Sequence, residues 1–114
     1  MQDCIYCKII NREIPSDIVY EDDEIIVFKD IQPVAPTHLL LIPKKHIATF
    51  FDITPEDSQA LGKIQLTAAW IAKKMGLEES GFRLVSNCKQ DAGQSVWHMH
   101  YHFLAGRTFK WPPG

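Results

Sequence analysis

The sequence predicts an α+β domain in which an antiparallel sheet packs against one long and one short helix. Several short segments are rich in aliphatic and β-branched residues, and one long segment has apolar residues at helical spacing. Strands and helices do not alternate as they do in βαβ units. The chain has 114 residues, of which 46% are hydrophobic and 23% charged. That length and composition suit one domain with its own core, over residues 1–114.

The first third of the chain has the pattern of a short helix followed by a hairpin. The predicted helix covers Cys4 to Arg12 and ends before Pro15. Predicted strands at 18–21 and 25–29 flank an acidic turn, although this turn lacks the glycine that most tight hairpins use. Two prolines at 33 and 36 exclude helix and predict an irregular loop. A further strand is expected at 38–42.

The long helix has clear signals at both ends. Thr54 is the predicted N-cap, Pro55 suits the first helical position, and Asp57 lies three residues after the cap. Gly76 stands where a C-terminal cap belongs. The apolar residues that recur at helical spacing are Leu61, Ile64, Ala68, Ile71, Ala72 and Met75.

Two more strands are predicted near the end of the chain. The first covers 82–87 and is followed by a loop over 88–95. The second, over 96–104, carries His98, His100 and His102 at alternate positions. Because side chains alternate across a strand, the three imidazoles share one face. The other face, expected to line the core, holds Trp97, Met99, Tyr101 and Phe103.

The three alternating histidines indicate chemistry. A strand facing solvent needs only polar residues, and Thr, Lys or Glu would serve. Neutral imidazole is both a nucleophile and a proton carrier near neutral pH. The alternative is a polar outer face that happens to be histidine.

Three features near this strand are candidates for ligand binding. The loop 91–95 has backbone N–H groups that could converge on an anion, together with the hydroxyl of Ser95, although such a run is also a common turn. His38 opens a strand and could lie at the rim of the same face, or it could be a capping residue. Asp30 could accept the two hydroxyls of a ribose, or it could form a turn.

Cys4 and Cys7 form half of a possible zinc site. Two thiolates need two further ligands to complete a tetrahedron, and His46, His98 and Cys88 are the candidates. The pair is equally compatible with two buried, small apolar side chains. A redox pair is less favoured, because the motif does not follow a strand.

Composition excludes several classes of protein. The net charge is −2 and the basic residues are scattered, so a nucleic acid polymer is not an expected partner. The longest aliphatic run, Leu39–Ile42, is far too short to span a membrane. The start has no basic region followed by an apolar one, and three cysteines do not make a disulfide framework. A cytoplasmic location is therefore expected.

The run 98–104 fits the motif His-φ-His-φ-His-φ-φ, where φ is apolar, and the chain resembles the histidine-triad (HIT) family, most closely its nucleotide-binding branch. The resemblance covers nearly the whole chain. Other matching segments are 8–15, 30–31, 35–38, 42–46, 93–96 and 111–114. It implies a five-stranded antiparallel sheet with one long and one short helix. It also implies a homodimer whose sheets join across the two-fold axis.

The resemblance implies an enzyme that binds purine nucleoside monophosphates and cleaves phosphoramidate-type bonds at the α-phosphate. His100 would attack phosphorus and form a nucleotidyl-histidine intermediate. His102 and the loop residues Gly93, Gln94 and Ser95 would hold the phosphate oxygens. His38 and His98 would fix the tautomer of the nucleophile and position its ring. Asp30 would take the ribose hydroxyls, and Asn87 would reach toward the phosphate. The expected walls of the purine slot are Ile5, Ile9, Phe28 and Ile31.

No cofactor is expected for catalysis, but a bacterial subgroup of the family carries structural zinc. By that resemblance its ligands here would be Cys4, Cys7, His46 and His98. The C-terminal segment 111–114 would shape specificity for the leaving group. An alternative function is a nucleotide-binding or protein-interaction module whose turnover is incidental. A catalytic metal held by the triad fits worse, because the outer two histidines would be roughly 13 Å apart along a strand.

Overall fold

The computed structural model describes residues 3–114. Met1 and Gln2 lie outside the described residues. The predicted domain over 1–114 and the expectation about the start of the chain both include these two residues. Five strands form one antiparallel sheet in the order β1-β2-β3-β5-β4. The elements are α1 (Ile5–Ile10), β1 (Ile18–Glu21), β2 (Ile25–Lys29), β3 (Thr37–Pro43), α2 (Ser58–Lys74), β4 (Arg83–Val85), α3 (Lys89–Ala92) and β5 (Tyr101–Ala105). The predicted fold class is confirmed, and α3 is an additional four-residue helix.

The sheet has a core on each face. On one face α2 covers the odd-numbered residues of β3, including Leu39 and Leu41. On the other face α1 packs over Leu40 and Ile42. Burial on both faces explains why β2 and β3 are nearly continuous apolar runs rather than alternating ones. His38 follows the even-numbered register of β3, so it lies on the α1 face.

The hairpin between β1 and β2 forms without glycine. The carboxylate of Asp22 stabilises the turn instead. Its Oδ1 accepts hydrogen bonds from the backbone N–H of Glu24 at 2.8 Å and of Ile25 at 3.0 Å. An aspartate that bonds the backbone two or three residues ahead stabilises a tight turn. Both strands have the predicted bounds.

The long helix begins later than its capping signal suggests. Thr54 and Asp57 form a capping box, but the turn that they close is a 3-10 helix over Pro55–Asp57, and α2 starts at Ser58. Gly76 follows the helix with a φ of +73°, which favours glycine. Met75 was predicted to belong to the buried stripe, but it is exposed because α2 ends one residue earlier.

The other boundaries differ by a few residues. The short helix covers Ile5–Ile10 rather than 4–12, because Cys4 is its N-cap and Arg12 adopts a positive φ of 63°. β3 gains one residue at each end, whereas β4 is shorter than the predicted 82–87. The predicted loop 88–95 contains α3, which Gly93 ends with a φ of +84°.

The strand expected to carry all three histidines is shorter than predicted. β5 begins at Tyr101, so of the three histidines only His102 lies in it, and the predicted strand over 96–104 was too long. The ring of Tyr6 in α1 contacts both His98 and His100, and the ring of His100 lies beside that of His102. The three imidazoles therefore still lie on the α1 side of the sheet.

Before β5 the chain bonds to other segments: the N–H of Met99 donates to the carbonyl of Ile47 at 2.7 Å. Met99 and Phe103 are buried as predicted. Trp97 is 49% exposed, because the chain bends there and does not follow the strand alternation.

Among residues 3–114, no helix has the length and apolar character needed to cross a membrane.

Candidate active site and metal-ligand cluster

His100 presents an unprotonated ring nitrogen. Its Nδ1 lies 2.8 Å from the backbone carbonyl oxygen of His98, and a carbonyl only accepts, so Nδ1 carries the proton. Nε2 is left with its lone pair. Every buried side-chain nitrogen or oxygen in residues 3–114 has a hydrogen-bond partner. Because Nε2 of His100 has no partner among these residues, solvent must reach it. Burial lowers the pKa of His100, which keeps the ring neutral.

His102 presents a ring nitrogen that carries a proton, and a chain of hydrogen bonds determines which of its two nitrogens this is. The backbone N–H of Val34 donates to Nδ1 of His38 at 3.1 Å, so His38 carries its proton on Nε2. That N–H donates to Nδ1 of His102 at 2.9 Å. His102 therefore holds its own proton on Nε2. Burial lowers the pKa of His102 to about 4 and also lowers the pKa of His38, so both rings are neutral.

Asp30 joins this chain at His38. Its Oδ2 lies 3.3 Å from Nε2 of His38, while its Oδ1 accepts the backbone N–H of Gln32 at 2.8 Å. One oxygen thus forms the turn that the sequence left as an alternative. The other faces the site. We call Asp30, His38 and His102 the hydrogen-bonded cluster.

Two neighbouring imidazoles therefore offer complementary groups. The rings of His100 and His102 have centroids 5.1 Å apart, one with a free lone pair and one with a free N–H. His98 supplies a hydrogen bond that fixes the tautomer of His100, as expected, and the accepting atom is its backbone carbonyl oxygen. The role expected for His38 needs correction, because His38 contacts His102 rather than His100.

The ring of His98 belongs to a second group, which we call the metal-ligand cluster: Cys4, Cys7, His46 and His98. Their donor atoms all lie within 4.8 Å of one another. Nδ1 of His98 is 3.4 Å from Sγ of Cys4 and 3.6 Å from Sγ of Cys7, and Nδ1 of His46 is 3.4 Å from Sγ of Cys7. Zinc bond lengths in a tetrahedron give sulfur–nitrogen edges of about 3.5 Å. The spacing therefore fits zinc. Cys88 lies outside the cluster.

Hydrogen bonds around the metal-ligand cluster also suit a metal. Nε2 of His98 donates to the carbonyl of Pro43 at 2.7 Å, which leaves the Nδ1 lone pair facing the thiols. The backbone N–H of Cys7 donates to Sγ of Cys4 at 3.3 Å. Burial lowers the pKa of His98 to about 4 and raises the pKa of Cys7 to about 11. A bound cation would stabilise the thiolate that burial disfavours.

The loop expected to hold the phosphate has fewer free donors than its sequence suggests. The amide of Gln94 donates to the carbonyls of Ala48 and Val96, and its oxygen accepts from the N–H of Lys89. The backbone N–H groups of Gly93 and Gln94 bond within the same loop. Gln94 is therefore a structural tether. Within the described residues, Ser95 is the member of the predicted trio whose N–H and hydroxyl have no protein partner.

The structure divides the expected purine slot. Ile9 of α1 and Phe28 of β2 are buried in the core between that helix and the sheet, whereas Ile5 and Ile31 are 46% and 90% exposed. The first pair is thus part of the core, and the second pair is accessible at the surface.

Tyr6 is a site residue that the sequence analysis missed. Its ring meets the ring of His100 edge-on, with centroids 5.1 Å apart, and also contacts Phe28 and His98. Burial raises the pKa of Tyr6 to about 12. Its position between Cys4 and Cys7 is the signal that could have found it, because a helical turn that brings both cysteines to His98 also brings part of that turn close to the triad.

A cleft of about 850 Å³ opens beside the hydrogen-bonded cluster. Its lining includes His38, His102 and Asn87, together with residues of β4 and of the C-terminal segment, which we call the outer wall. Asn87 and His102 thus line the same cleft.

Comparisons with known proteins agree with this geometry. A family model described as "Scavenger mRNA decapping enzyme C-term binding" matches residues 3–109. An uncharacterised HIT-like protein of Synechocystis is 50% identical over 113 residues, which cover 99% of this chain and 98% of that protein. The chain belongs to the histidine-triad family. Another relative, the purine nucleoside phosphoramidase of Escherichia coli K12, is 50% identical over 106 residues, or 93% of this chain and 89% of that enzyme.

Solved structures of histidine-triad proteins share the fold. The HIT family hydrolase from Legionella pneumophila matches with a TM-score of 0.95 and 51% identity, over 98% of this chain and all of that one. A histidine triad protein from Clostridium difficile matches with a TM-score of 0.92 and 46% identity, over 96% of each chain. The protein is accordingly a histidine-triad hydrolase.

Proposed function

We propose that the protein hydrolyses the P–N bond of purine nucleoside 5′-phosphoramidates in two displacements at phosphorus. The observation that carries this proposal is the pairing of a free lone pair on Nε2 of His100 with a free N–H on Nε2 of His102. The similarity to an enzyme named purine nucleoside phosphoramidase supports the choice of bond.

In the first displacement, Nε2 of His100 bonds to the α-phosphorus and the P–N bond breaks. The electron pair of that bond goes to the nitrogen, which takes a proton from a water molecule and leaves as the amine. In the second displacement, the resulting hydroxide attacks phosphorus and the bond to His100 breaks. The products are a nucleoside monophosphate and an amine. Imidazole suits this sequence because it is a competent nucleophile and leaving group near neutral pH.

The surrounding residues position these steps. The carbonyl of His98 holds the proton on Nδ1 of His100 and becomes a stronger partner when that ring gains positive charge in the intermediate. The N–H of His102, held in place by His38, would donate to a phosphoryl oxygen or to the leaving nitrogen. Ser95 offers further donors to the phosphate. Ile9 and Phe28 would form the floor of the purine slot, with Ile5, Ile31 and Tyr6 around it.

We also propose that Cys4, Cys7, His46 and His98 hold a structural Zn²⁺. With four protein ligands a bound zinc has no open position, so it would link α1 to the sheet and not activate water. His98 would then serve both sites, with its ring on the metal and its carbonyl on the nucleophile.

A homodimer is the proposed assembly. β4 is an edge strand, and its pairing with β4 of a second copy would extend the sheet across a two-fold axis. Multi-angle light scattering should give twice the mass of the 13.1 kDa chain; a monomer at micromolar concentration would contradict the assembly.

The function is tested with adenosine 5′-phosphoramidate. We expect release of AMP by the wild-type protein and a loss of at least about 10⁴-fold for His100→Ala, because the nucleophile is removed. The variant should still bind AMP. If the wild-type protein binds AMP but hydrolyses no phosphoramidate, the protein is a nucleotide-binding module instead.

A further inference from the structure

We propose that the cleft beside His102 selects phosphoramidates whose leaving amine carries an anionic group such as a carboxylate. This inference rests on the proposed function and names the substrate class of the same site.

The cleft is placed to receive the leaving group. His102 lines the cleft and lies next to His100, so an amine that leaves phosphorus opposite His100 would enter this space. A volume of about 850 Å³ is within the range of small-molecule sites. It is therefore large enough for an amine with a substituent of several atoms.

The outer wall is positively charged although the chain has a net charge of −2. Arg107 and Lys110 line it, and Asp91 supplies the one acidic side chain. Arg83 also lines it, but Arg83 belongs to β4, the edge that the proposed homodimer would pair. None of the three cations forms a salt bridge to any residue in 3–114. The local charge is thus opposite in sign to that of the whole chain.

The two arginines are held in place without being neutralised. Nη2 of Arg107 donates to the carbonyl of Val34 at 3.1 Å, and Nη2 of Arg83 donates to the carbonyl of Lys110 at 3.0 Å. Carbonyl partners orient a guanidinium but leave its net charge. The ring of Phe109 contacts both, with its centroid 4.3 Å from Cζ of Arg107 and 5.3 Å from Cζ of Arg83.

The backbone also fixes Arg107 at this position. Gly106 has a φ of +97°, and a Cβ at that position would lie 2.7 Å from Cβ of Pro36. The turn therefore requires glycine and leads the chain from β5 directly into Arg107. Nη1 of Arg107 also donates to the carbonyl of Thr108 at 3.2 Å, so both terminal nitrogens are oriented by backbone carbonyls. A guanidinium has five N–H groups, so one held in this way keeps donors for a carboxylate as well as its positive charge.

The experiment compares two substrates that differ only in charge. These are the adenosine 5′-phosphoramidates of β-alanine, which has a carboxylate, and of β-alaninamide, which does not. Each kcat/KM is divided by the rate of uncatalysed hydrolysis of the same compound. We expect a ratio of at least about 10 in favour of the acid, falling toward 1 in 0.5 M salt because exposed charges are screened.

Variants assign the preference to the wall. Arg107→Gln and Lys110→Gln, both at exposed positions, should each lower the acid-to-amide ratio several-fold. Lys73→Gln, on α2 across the sheet, is the matched control and should leave the ratio unchanged. A ratio near 1 in the wild-type protein, or variants that slow both substrates equally, would overturn the inference while leaving the proposed function intact. Failure to hydrolyse either compound would instead refute the proposed function.

Discussion

The two clusters on the α1 face contain similar side chains but are bonded in opposite ways. In the metal-ligand cluster, Nε2 of His98 is bonded to a carbonyl, so its Nδ1 lone pair faces the thiols. In the hydrogen-bonded cluster, a backbone N–H occupies Nδ1 of His38, so a proton faces His102 and Asp30. A ring nitrogen that carries a proton cannot bind a metal. The tautomer, decided by one backbone group, thus separates metal binding from proton-based chemistry.

The difference between the two clusters is tested most strongly by the number of zinc ions bound per chain. We expect one equivalent of Zn²⁺ per chain, bound at the metal-ligand cluster, and none at the hydrogen-bonded cluster. Cys7→Ser should lose the ion. Its free energy of unfolding should fall by about 4 kcal/mol when free zinc is about 1,000 times the wild-type Kd. Elemental analysis and urea unfolding measure the two effects.

Cys88→Ser is the control for that variant, since Cys88 is a free cysteine outside the cluster. It should keep both the ion and the stability. Two equivalents in the wild-type protein, or a loss of zinc from His38→Ala, would show that the second cluster also binds metal.

A smaller effect is expected from the donor that holds His102. His38→Ala removes the N–H that bonds to Nδ1 of His102, so the tautomer of His102 is no longer fixed. We expect kcat to fall by about 10²-fold with little change in KM. His38→Gln places an amide N–H near the lost one and should recover part of the rate. If the two variants are equally active, the hydrogen bond does not position His102.

The smallest effect is a pH dependence of stability. The pKa of His102 is lowered by burial to about 4, below the ordinary histidine value of about 6.5. Between these values the unfolded chain takes up a proton that the folded chain does not, so stability falls as the pH decreases from 6.5 toward 4. The stability associated with neutral His102 is fully present above pH 6.5. Because His102 is half-buried, the slope should be less than about 1.4 kcal/mol per pH unit.

Urea unfolding at pH 5 and pH 7 measures this slope. His102→Gln should reduce it, since glutamine does not titrate. An unchanged slope in that variant would assign the pH dependence to other groups.

Much of the fold could be predicted because its signals are local. β1 and β2 have the expected bounds, and Thr54 and Asp57 mark the start of the long helical segment. The start of β5 could not be predicted, because the partner of Met99 is the distant carbonyl of Ile47. An alternating pattern shows which residues suit a strand, but pairing decides where the strand begins.

The candidate site could also be predicted only in part. The four members of the metal-ligand cluster were named from the sequence, and the structure brings their donor atoms together. The sequence could not show that His98 acts on His100 through its carbonyl, or that Gln94 is committed to Ala48 and Val96. These facts depend on which atom of a residue faces which distant backbone group.

The central claim is that Nε2 of His100 bonds to phosphorus. The direct measurement is mass spectrometry of peptides from wild-type protein mixed with adenosine 5′-phosphoramidate and quenched within milliseconds in alkaline denaturant. The account predicts an adenylyl group on the peptide at His100, formed before the first AMP is released and absent from His100→Ala. An adenylyl group on a different histidine, or steady turnover with no modified peptide at any time, would contradict it.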